Sequence, residues 1–321
     1  MWPGFLGCFV GKALAFAGAA AALYGVRSLL RRFWFDHRSL ERLLRDKTVL
    51  ITGASSGIGL ALAQLCHRHG AKLILAARSL DKLSGICQEL KGANPANPHE
   101  ARFRYLDLEE PNGVSELAQL SDDGKIDLLV NNAGMSVRAS CEETTMAVHR
   151  RLMQVNHFGP TDVTQGLLPH LRETGTIVVV GSVQSKIAVP FRAAYSASKH
   201  AIQAYCDSLR AELRASGSRI GVTTVLPGYV KTGLAENALS GSGARKYDES
   251  TEKPAAEEAH AKSAMAPEYV AKLILLSASR GETQVVIAPL AHRLAVYFGN
   301  AVPTLLAHML ARRAVKELKN E

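Results

Sequence analysis

Across residues 47–290, short apolar runs alternate with longer stretches in which apolar positions recur at helical spacing. The runs Thr48-Val49-Leu50-Ile51 and Lys72-Leu73-Ile74-Leu75-Ala76-Ala77 have the near-continuous apolar character of strands buried on both faces. Further strands fit residues 103–106, 126–130, 177–180, 222–226 and 284–287, and helices fit residues 60–69 and 80–91. Strands alternating with helices require right-handed crossovers into a parallel sheet, which gathers ligands at the carboxyl ends of its strands. The pattern predicts a single α/β domain. Gly92-Ala93-Asn94-Pro95-Ala96-Asn97-Pro98 reads as a surface turn.

The two ends break this alternation. Residues 2–26 are apolar with one charge, Lys12, and lead into Arg27, Arg31, Arg32 and Phe33-Trp34-Phe35. Because about 20 apolar residues cross a bilayer, residues 1–30 predict an N-terminal membrane anchor (a signal-anchor), with residues 31–46 as a basic amphipathic linker. A cleaved signal peptide is the first rival, but its basic leading region is missing here. An interfacial amphipathic helix is the stronger rival, since the uninterrupted run 13–26 is short and rich in alanine. If the anchor spans, Arg27, Arg31, Arg32 and Arg38 keep the domain on the cytosolic side. The expected location is the endoplasmic reticulum membrane, with the peroxisomal membrane as the alternative. Residues 291–321 form a second apolar and basic segment, interrupted by Pro303 and followed by Arg312, Arg313 and Lys316. It fits a helix lying on a membrane, a helix packed on the core, or a dimer contact.

Charge and cysteine usage narrow the function classes. The formal charge is +9, but residues 1–47 hold eight Lys/Arg against three Asp/Glu, and residues 287–321 hold five against two. The middle is nearly neutral, so the excess charge points to anionic lipid and no nucleic-acid partner is expected. The five cysteines are scattered and odd in number, which predicts reduced thiols, and the histidines show no paired metal-ligand spacing. No metal is expected.

Chemistry begins at Thr52-Gly53-Ala54-Ser55-Ser56-Gly57-Ile58-Gly59, directly after the first strand and before the first helix. Three glycines free a strand-to-helix turn of side chains, so that backbone N–H groups can close on a pyrophosphate at a helix N-terminus. The setting predicts a Rossmann-type doubly wound parallel sheet holding a dinucleotide. An NAD enzyme usually places a carboxylate at the end of the second strand, to accept from the ribose 2′-OH. Here Ala77, Arg78 and Ser79 stand there. Arg78 offers charge-assisted bonds to a 2′-phosphate, which favours NADP(H). The plain alternative is a solvated surface arginine.

Thr52 to Gly59, Asn131-Asn132-Ala133-Gly134, Tyr195-Ser196-Ala197-Ser198-Lys199 and Pro227-Gly228, in this order, resemble the short-chain dehydrogenase/reductase family over about residues 45–290. Within it, Ser182-Val183-Gln184-Ser185-Lys186-Ile187 and Phe191-Arg192-Ala193-Ala194-Tyr195 resemble the membrane-associated member 7 group and its 7B-like branch, and more distantly the 11β-hydroxysteroid dehydrogenases. Tyr195 and Lys199 are four apart and share a helix face. An ammonium beside a phenol favours phenolate, lowering a reference pKa of about 10, so Tyr195 becomes a usable general acid or base. The resemblance implies that Lys199 also holds the nicotinamide ribose.

Ser182 follows a strand end and matches the family serine that bonds the substrate oxygen; Ser185 is a nearby decoy that the spacing to Tyr195 disfavours. Asn156 matches the family asparagine of a water-mediated relay toward Lys199, and Gly159-Pro160 would bend its helix and free a carbonyl. A simple helix-bend asparagine is its rival. The resemblance further implies that Asn132, Ala133 and Gly134 line the adenosine side, that Asp107 contacts adenine, and that Pro227, Gly228, Val230 and Thr232 receive the carboxamide. Asp107 also reads as a strand-end cap.

The chemistry these residues predict is hydride transfer between a nicotinamide and a carbonyl or alcohol carbon of a hydrophobic, lipid-like substrate. The 7B-like resemblance points toward acyl- or alkyl-dihydroxyacetone phosphate, with retinoids and steroids as the other candidate classes. Residues 233–267 read as a mobile, charged lid that carries no chemical code. A catalytically idle NADP-binding scaffold is the alternative, with no evident use for Ser182, Tyr195, Lys199 and Asn156 together. A sugar-nucleotide epimerase fits the glycine turn and chain length poorly. The resemblance also implies a homodimer or larger assembly.

Overall fold

Seven apolar segments form strands: β1 (Thr48–Thr52), β2 (Lys72–Ala77), β3 (Arg102–Tyr105), β4 (Ile126–Asn131), β5 (Leu171–Val180), β6 (Gly221–Pro227) and β7 (Gln284–Ile287). They make one sheet in the order β3-β2-β1-β4-β5-β6-β7, every pairing parallel. This is a computed structural model, and it describes residues 36–245 and 264–318. The proposed anchor, residues 31–35 of the linker, residues 246–263 of the variable region and residues 319–321 lie outside the described residues. The doubly wound parallel sheet is the architecture that the strand and helix alternation predicts. β5 is the one strand that starts well before its apolar run. Leu171 pairs with Ile126 across an irregularity, and regular register resumes at Leu128 and Thr176.

Helices α1 (Asp36–Leu44), α2 (Gly57–Arg68), α3 (Leu80–Ala93), α4 (Met146–Met153), α5 (Gly159–Leu167), α6 (Ala193–Ala215), α7 (Gly233–Glu236), α8 (Pro267–Ser279), α9 (Leu290–Phe298) and α10 (Pro303–Leu318) surround the sheet. Successive side chains of a strand point to opposite faces, and the core divides accordingly. Val49, Ile51, Leu73, Leu75, Leu128 and Val130 pack with Leu62 and Cys66 of α2, Ile274 and Leu275 of α8, and Leu40 and Leu44 of α1. Leu50, Ile74, Leu129, Ile177 and Val179 face Val163 and Leu167 of α5 and Ile202 and Cys206 of α6. α1, within the basic linker, thus adds two buried leucines to the core. At the other end Val296 of α9 packs on Ile187, Leu226 and Val286, with Leu306 and Leu310 of α10 beside them. Pro303 opens α10 at its first turn, where a missing N–H costs nothing.

No helix among the described residues is long and apolar enough to cross a membrane. Cys66, Cys87, Cys141 and Cys206 are free thiols, and burial pushes that of Cys206 up to about 12.

One joint ties the sheet to the site. The Thr52 hydroxyl, at the end of β1, accepts from the N–H groups of Asn132 at 3.0 Å and Ala133 at 3.2 Å, just past β4. The Asn132 carboxamide returns two bonds, donating to the carbonyls of Thr52 at 3.0 Å and Gly53 at 3.2 Å. Thr52 is 1% exposed, so water cannot replace its hydroxyl. Thr52→Val keeps the shape and orphans both amides, which lowers stability by about 2–4 kcal/mol. Urea unfolding measures this, and a loss below about 0.5 kcal/mol would show that the joint does not hold the strand ends together.

Candidate active site

β1 and β4 are neighbours in the sheet but are separated in the chain by β2 and β3, so a crevice opens at their carboxyl ends. The cleft there has a volume of about 760 Å³. Its floor is the glycine turn. Gly53 and Gly57 sit at φ +65° and +55°, where side chains are strained. A Cβ on Gly53 would lie 2.7 Å from Ala133 Cα, and one on Gly59 would lie 2.2 Å from the Gly53 carbonyl oxygen. Ser55, Ser56, Gly57 and Ile58 line the cleft. Ser56 precedes α2 without capping it through its side chain, leaving the positive helix N-terminus directed at the cleft. This cradle fits the pyrophosphate of a nicotinamide dinucleotide.

Asn132, Ala133 and Gly134 form one wall, with Pro227, Gly228, Val230 and Thr232 opposite. The Thr232 methyl lies over the turn: a Cβ on Gly57 would be 2.9 Å from it. Thr52 and Gly59, at the two ends of the turn, support the cleft through packing and hydrogen bonds. Thr52 does so by bonding the β4 end and Gly59 by letting α2 start against Gly53.

At the end of β2 the cleft is lined by Arg78, Ser79, Lys82 and Asp107. Ser79 precedes α3 and spends no side-chain bond on capping it. The Arg78 side chain is 62% exposed and stands 3.8 Å from Glu109. Glu109 is held far more closely by Arg151, at 2.8 and 3.0 Å. Asp107 accepts from the Glu109 N–H at 3.0 Å, which gives it the local turn-forming role while it also lines the cleft. Lys82, Glu109 and Arg151 carry no motif and were not singled out in the sequence.

The chemical centre lies on the buried stripe of α6, where Tyr195, Lys199, Ile202 and Cys206 recur at helical spacing. The Lys199 ammonium donates to the Val180 carbonyl at 3.0 Å, at the end of β5. It lies 5.9 Å from the Tyr195 ring centre. Burial pushes the Lys199 pKa down to about 8. Burial also raises the Tyr195 phenol, with the Ser182 hydrogen bond and the Arg192 charge pulling back part of that rise. The expectation that the ammonium would lower the phenol is therefore corrected in this structure, because desolvation is the largest influence on Tyr195 and the groups that offset part of it are Ser182 and Arg192. A phenol so held is a general acid at neutral pH.

Ser182 and Ser185 divide their work. The Ser185 hydroxyl accepts from the Ser182 N–H at 3.2 Å and shapes the turn, while the Ser182 hydroxyl accepts from the Gln184 N–H at 3.1 Å and meets Tyr195. Ser182 is thus the serine whose side chain meets Tyr195. Asn156 sits in a π-helical turn, Gln154–Phe158, the irregularity that Gly159-Pro160 foreshadows. Pro160 has no N–H to give to the carbonyl four residues back, which is that of Asn156 itself. The Asn156 carboxamide exchanges two 2.9 Å bonds with the Met135 backbone and donates to Ser198 at 3.0 Å. Gly134 makes room for this: a Cβ there would be 3.0 Å from Asn156 Oδ1 and 3.5 Å from Lys199 Nζ.

Beyond Tyr195 the cleft mixes Val183, Val189, Leu234 and Leu239 with Arg192, Arg245, His292 and Arg313. Buried Arg138 stands 3.6 Å from Glu317 of α10, a pairing with no sequence signal because its partners are far apart in the chain. The described part of residues 233–267 is stitched down. The Leu239 N–H donates to Ser136 and its carbonyl accepts from Arg138, both at 2.9 Å, so the expected mobile lid is pinned at this point.

Residues 47–242 match the short chain dehydrogenase family. The chain belongs to the short-chain dehydrogenase/reductase family. It is 39% identical over 298 residues to "Dehydrogenase/reductase SDR family member 7B" of Xenopus tropicalis, covering 88% of this chain and 92% of that protein. It is 42% identical over 282 residues to the Anopheles gambiae "Dehydrogenase/reductase SDR family protein 7-like", covering 86% and 85%. A Burkholderia phymatum short chain dehydrogenase/reductase solved in complex with NAD shares the fold at TM-score 0.65 and 24% identity, over 87% of this chain and 96% of that one. An alcohol dehydrogenase from Thermococcus sibiricus, complexed with 5-hydroxy-NADP, does so at TM-score 0.60 and 24% identity, over 76% and 96%. The chain is thus an oxidoreductase of this family with a Rossmann-like fold.

Two outcomes test the geometry. The charged form of Lys199 is lost as pH rises through about 8, while the raised Tyr195 stays protonated. kcat/KM for carbonyl reduction, which reports the free enzyme, should be level below that value and fall above it; a profile flat to pH 10 would refute the assignment. Gly134→Ala crowds the Asn156 carboxamide by a few tenths of an ångström and should lower kcat roughly 10- to 100-fold. Its circular dichroism should remain that of the parent, and unchanged kcat would mean that the crowding is harmless.

Proposed function

We propose that this protein is an NADP(H)-dependent carbonyl reductase acting on a hydrophobic, lipid-like substrate. The observation that carries the cofactor preference is Arg78, exposed at the end of β2 beside Ser79 and Lys82. Glu109, the carboxylate 3.8 Å from it, is engaged more tightly by Arg151 at 2.8 Å. A 2′-phosphate placed there meets cationic donors, which charge-assisted bonding rewards. The nicotinamide cofactor supplies the hydride. Tyr195 donates the proton to the carbonyl oxygen, and the Ser182 hydroxyl positions that oxygen beside the phenol. Lys199 restores the proton through solvent held at the Asn156 carbonyl.

Valine and leucine side chains together with several arginines at the far end of the cleft suit a lipid with an anionic head better than a neutral retinoid or steroid. Acyl- or alkyl-dihydroxyacetone phosphate is accordingly the favoured class. The same reading anchors the chain through residues 1–30 in the endoplasmic reticulum membrane, or alternatively the peroxisomal membrane. The domain then faces the cytosol and pairs as a homodimer, as the family resemblance implies.

Detergent-solubilised protein, assayed with NADPH and NADH against these three classes of carbonyl, tests the reading. NADPH should be preferred, and Arg78→Ala should raise its KM about 10- to 100-fold, the equivalent of one charge-assisted bond, while leaving NADH unaffected. Tyr195→Phe should stop turnover while nucleotide binding persists. A preference for NADH untouched by Arg78→Ala would overturn the cofactor assignment, and turnover surviving Tyr195→Phe would overturn the mechanism.

A further inference from the structure

Exposed large apolar side chains are unevenly distributed among the described residues. Of sixteen, nine lie within residues 290–318: Leu290, Leu294, Tyr297, Phe298, Val302, Leu305, Met309, Val315 and Leu318. Isolated exposed leucines need no explanation, but a concentration on adjoining elements marks an interaction surface. On α9, Leu290, Leu294 and Tyr297 recur at helical spacing opposite buried Val296. On α10, Leu306, Leu310 and Glu317 face inward, while Leu305 and Met309 face outward and Arg312 and Lys316 continue the same outward stripe. Each helix is thus packed on one side and apolar on the other. α10 changes from apolar to basic along its outer face.

The inner side of these helices is part of the active-site cleft. Pro289 and His292 at α9, and Arg313 and Glu317 on α10, line its substrate end. One thin element therefore separates the exposed apolar stripe from the place where a substrate must sit. Two features choose the occupant of that stripe. A two-fold axis passing through the basic end of this stripe would bring Arg312 and Lys316 of both copies together, where like charges repel. The same residues complement the phosphates of an anionic membrane surface. Helices of nine and sixteen residues are too short to cross the hydrocarbon layer, whereas lying in the interface asks only for an apolar face with basic flanks.

We propose that α9 and α10 form a bilayer-docking surface. Their outer stripe settles among the acyl chains just below the headgroups, Arg312 and Lys316 meet lipid phosphates, and the substrate end of the cleft opens onto the membrane. A lipid carbonyl then enters sideways from the bilayer rather than from water. This second step rests on the carbonyl-reductase reading; the docking itself does not.

The test uses the full chain with Cys8, Cys87 and Cys141 replaced by serine, so that a fluorophore can be placed on Met309→Cys. A second protein carries it on Glu173→Cys, at the opposite end of the sheet. Both are reconstituted in vesicles of phosphatidylcholine and phosphatidylserine containing a lipid with a nitroxide high on its acyl chain. Quenching at position 309 should be several-fold stronger than at 173. It should fall to the level of 173 in the Leu294→Glu/Leu305→Glu variant and weaken in vesicles of phosphatidylcholine alone. Equal quenching at both positions would overturn the proposal, as would cross-linking of position 309 between two copies in place of quenching. With turnover as readout, Leu294→Glu/Leu305→Glu should raise KM about tenfold for a long-chain ketone carried in vesicles and leave KM for a short water-soluble ketone unchanged. Equal effects on both ketones would overturn entry from the bilayer. If 309 is quenched as expected but neither ketone is reduced, the docking stands and the carbonyl-reductase reading falls.

Discussion

The approach of the β1 and β4 ends is the constraint from which the rest of the site follows. Two strands that are distant in the chain are brought within side-chain reach by the Thr52 hydroxyl and the Asn132 carboxamide. That closeness leaves no room for a side chain at Gly53, whose Cβ would fall 2.7 Å from Ala133 Cα. It also sets the course of the next two residues, bringing Gly134 against Asn156 and Lys199. The glycine turn, Asn156 and Lys199 therefore share one wall. A displacement at the glycine turn would be felt at Asn156 and Lys199 without touching either of them.

Desolvation then decides the protonation states. Spacing along α6 places a cation and a phenol on one helix face, and in water the cation would dominate. In the packed site both groups are buried, so the charged form of each is disfavoured, lysine downward and tyrosine upward. The opposing shifts suit proton donation to a carbonyl oxygen. The hydrogen bond with the Ser182 side chain moderates the rise at the phenol. Charge proximity pointed to this pair of residues, and burial sets the direction in which each is shifted.

Legibility followed range along the chain. β2 and β7 begin and end where their apolar runs do, because a strand buried on both faces is written locally. The π-helical turn at Asn156 was foreshadowed by Gly159-Pro160, and Tyr195 with Lys199 by their four-residue spacing. β5 was not bounded correctly, since its first residue is strand only through pairing with Ile126 across an irregularity. Thr52 and Gly59 were legible as members of the glycine-turn motif, whereas their packing against the β4 end was not, because Asn132 and Ala133 are distant in the chain. The clamp of Arg151 on Glu109 and the pairing of Arg138 with Glu317 left no sequence signal at all. Each joins elements that meet only after the sheet has formed.

The two ends of the cleft differ in how they are built, and this explains why one was readable and the other was not. The cofactor end consists largely of backbone: glycines, exposed N–H groups and a helix N-terminus, all of which demand particular residue types at fixed spacing. The substrate end is assembled from side chains of the turn after β5, the loop after β4, the short α7 and the two C-terminal helices. No spacing rule connects them, and any could change without disturbing the sheet. A chain can therefore announce its hydride chemistry plainly while its substrate remains a matter of three-dimensional convergence. The C-terminal helices are where that convergence meets the exterior, because the face that closes the cleft and the face that carries the exposed apolar stripe belong to the same two helices.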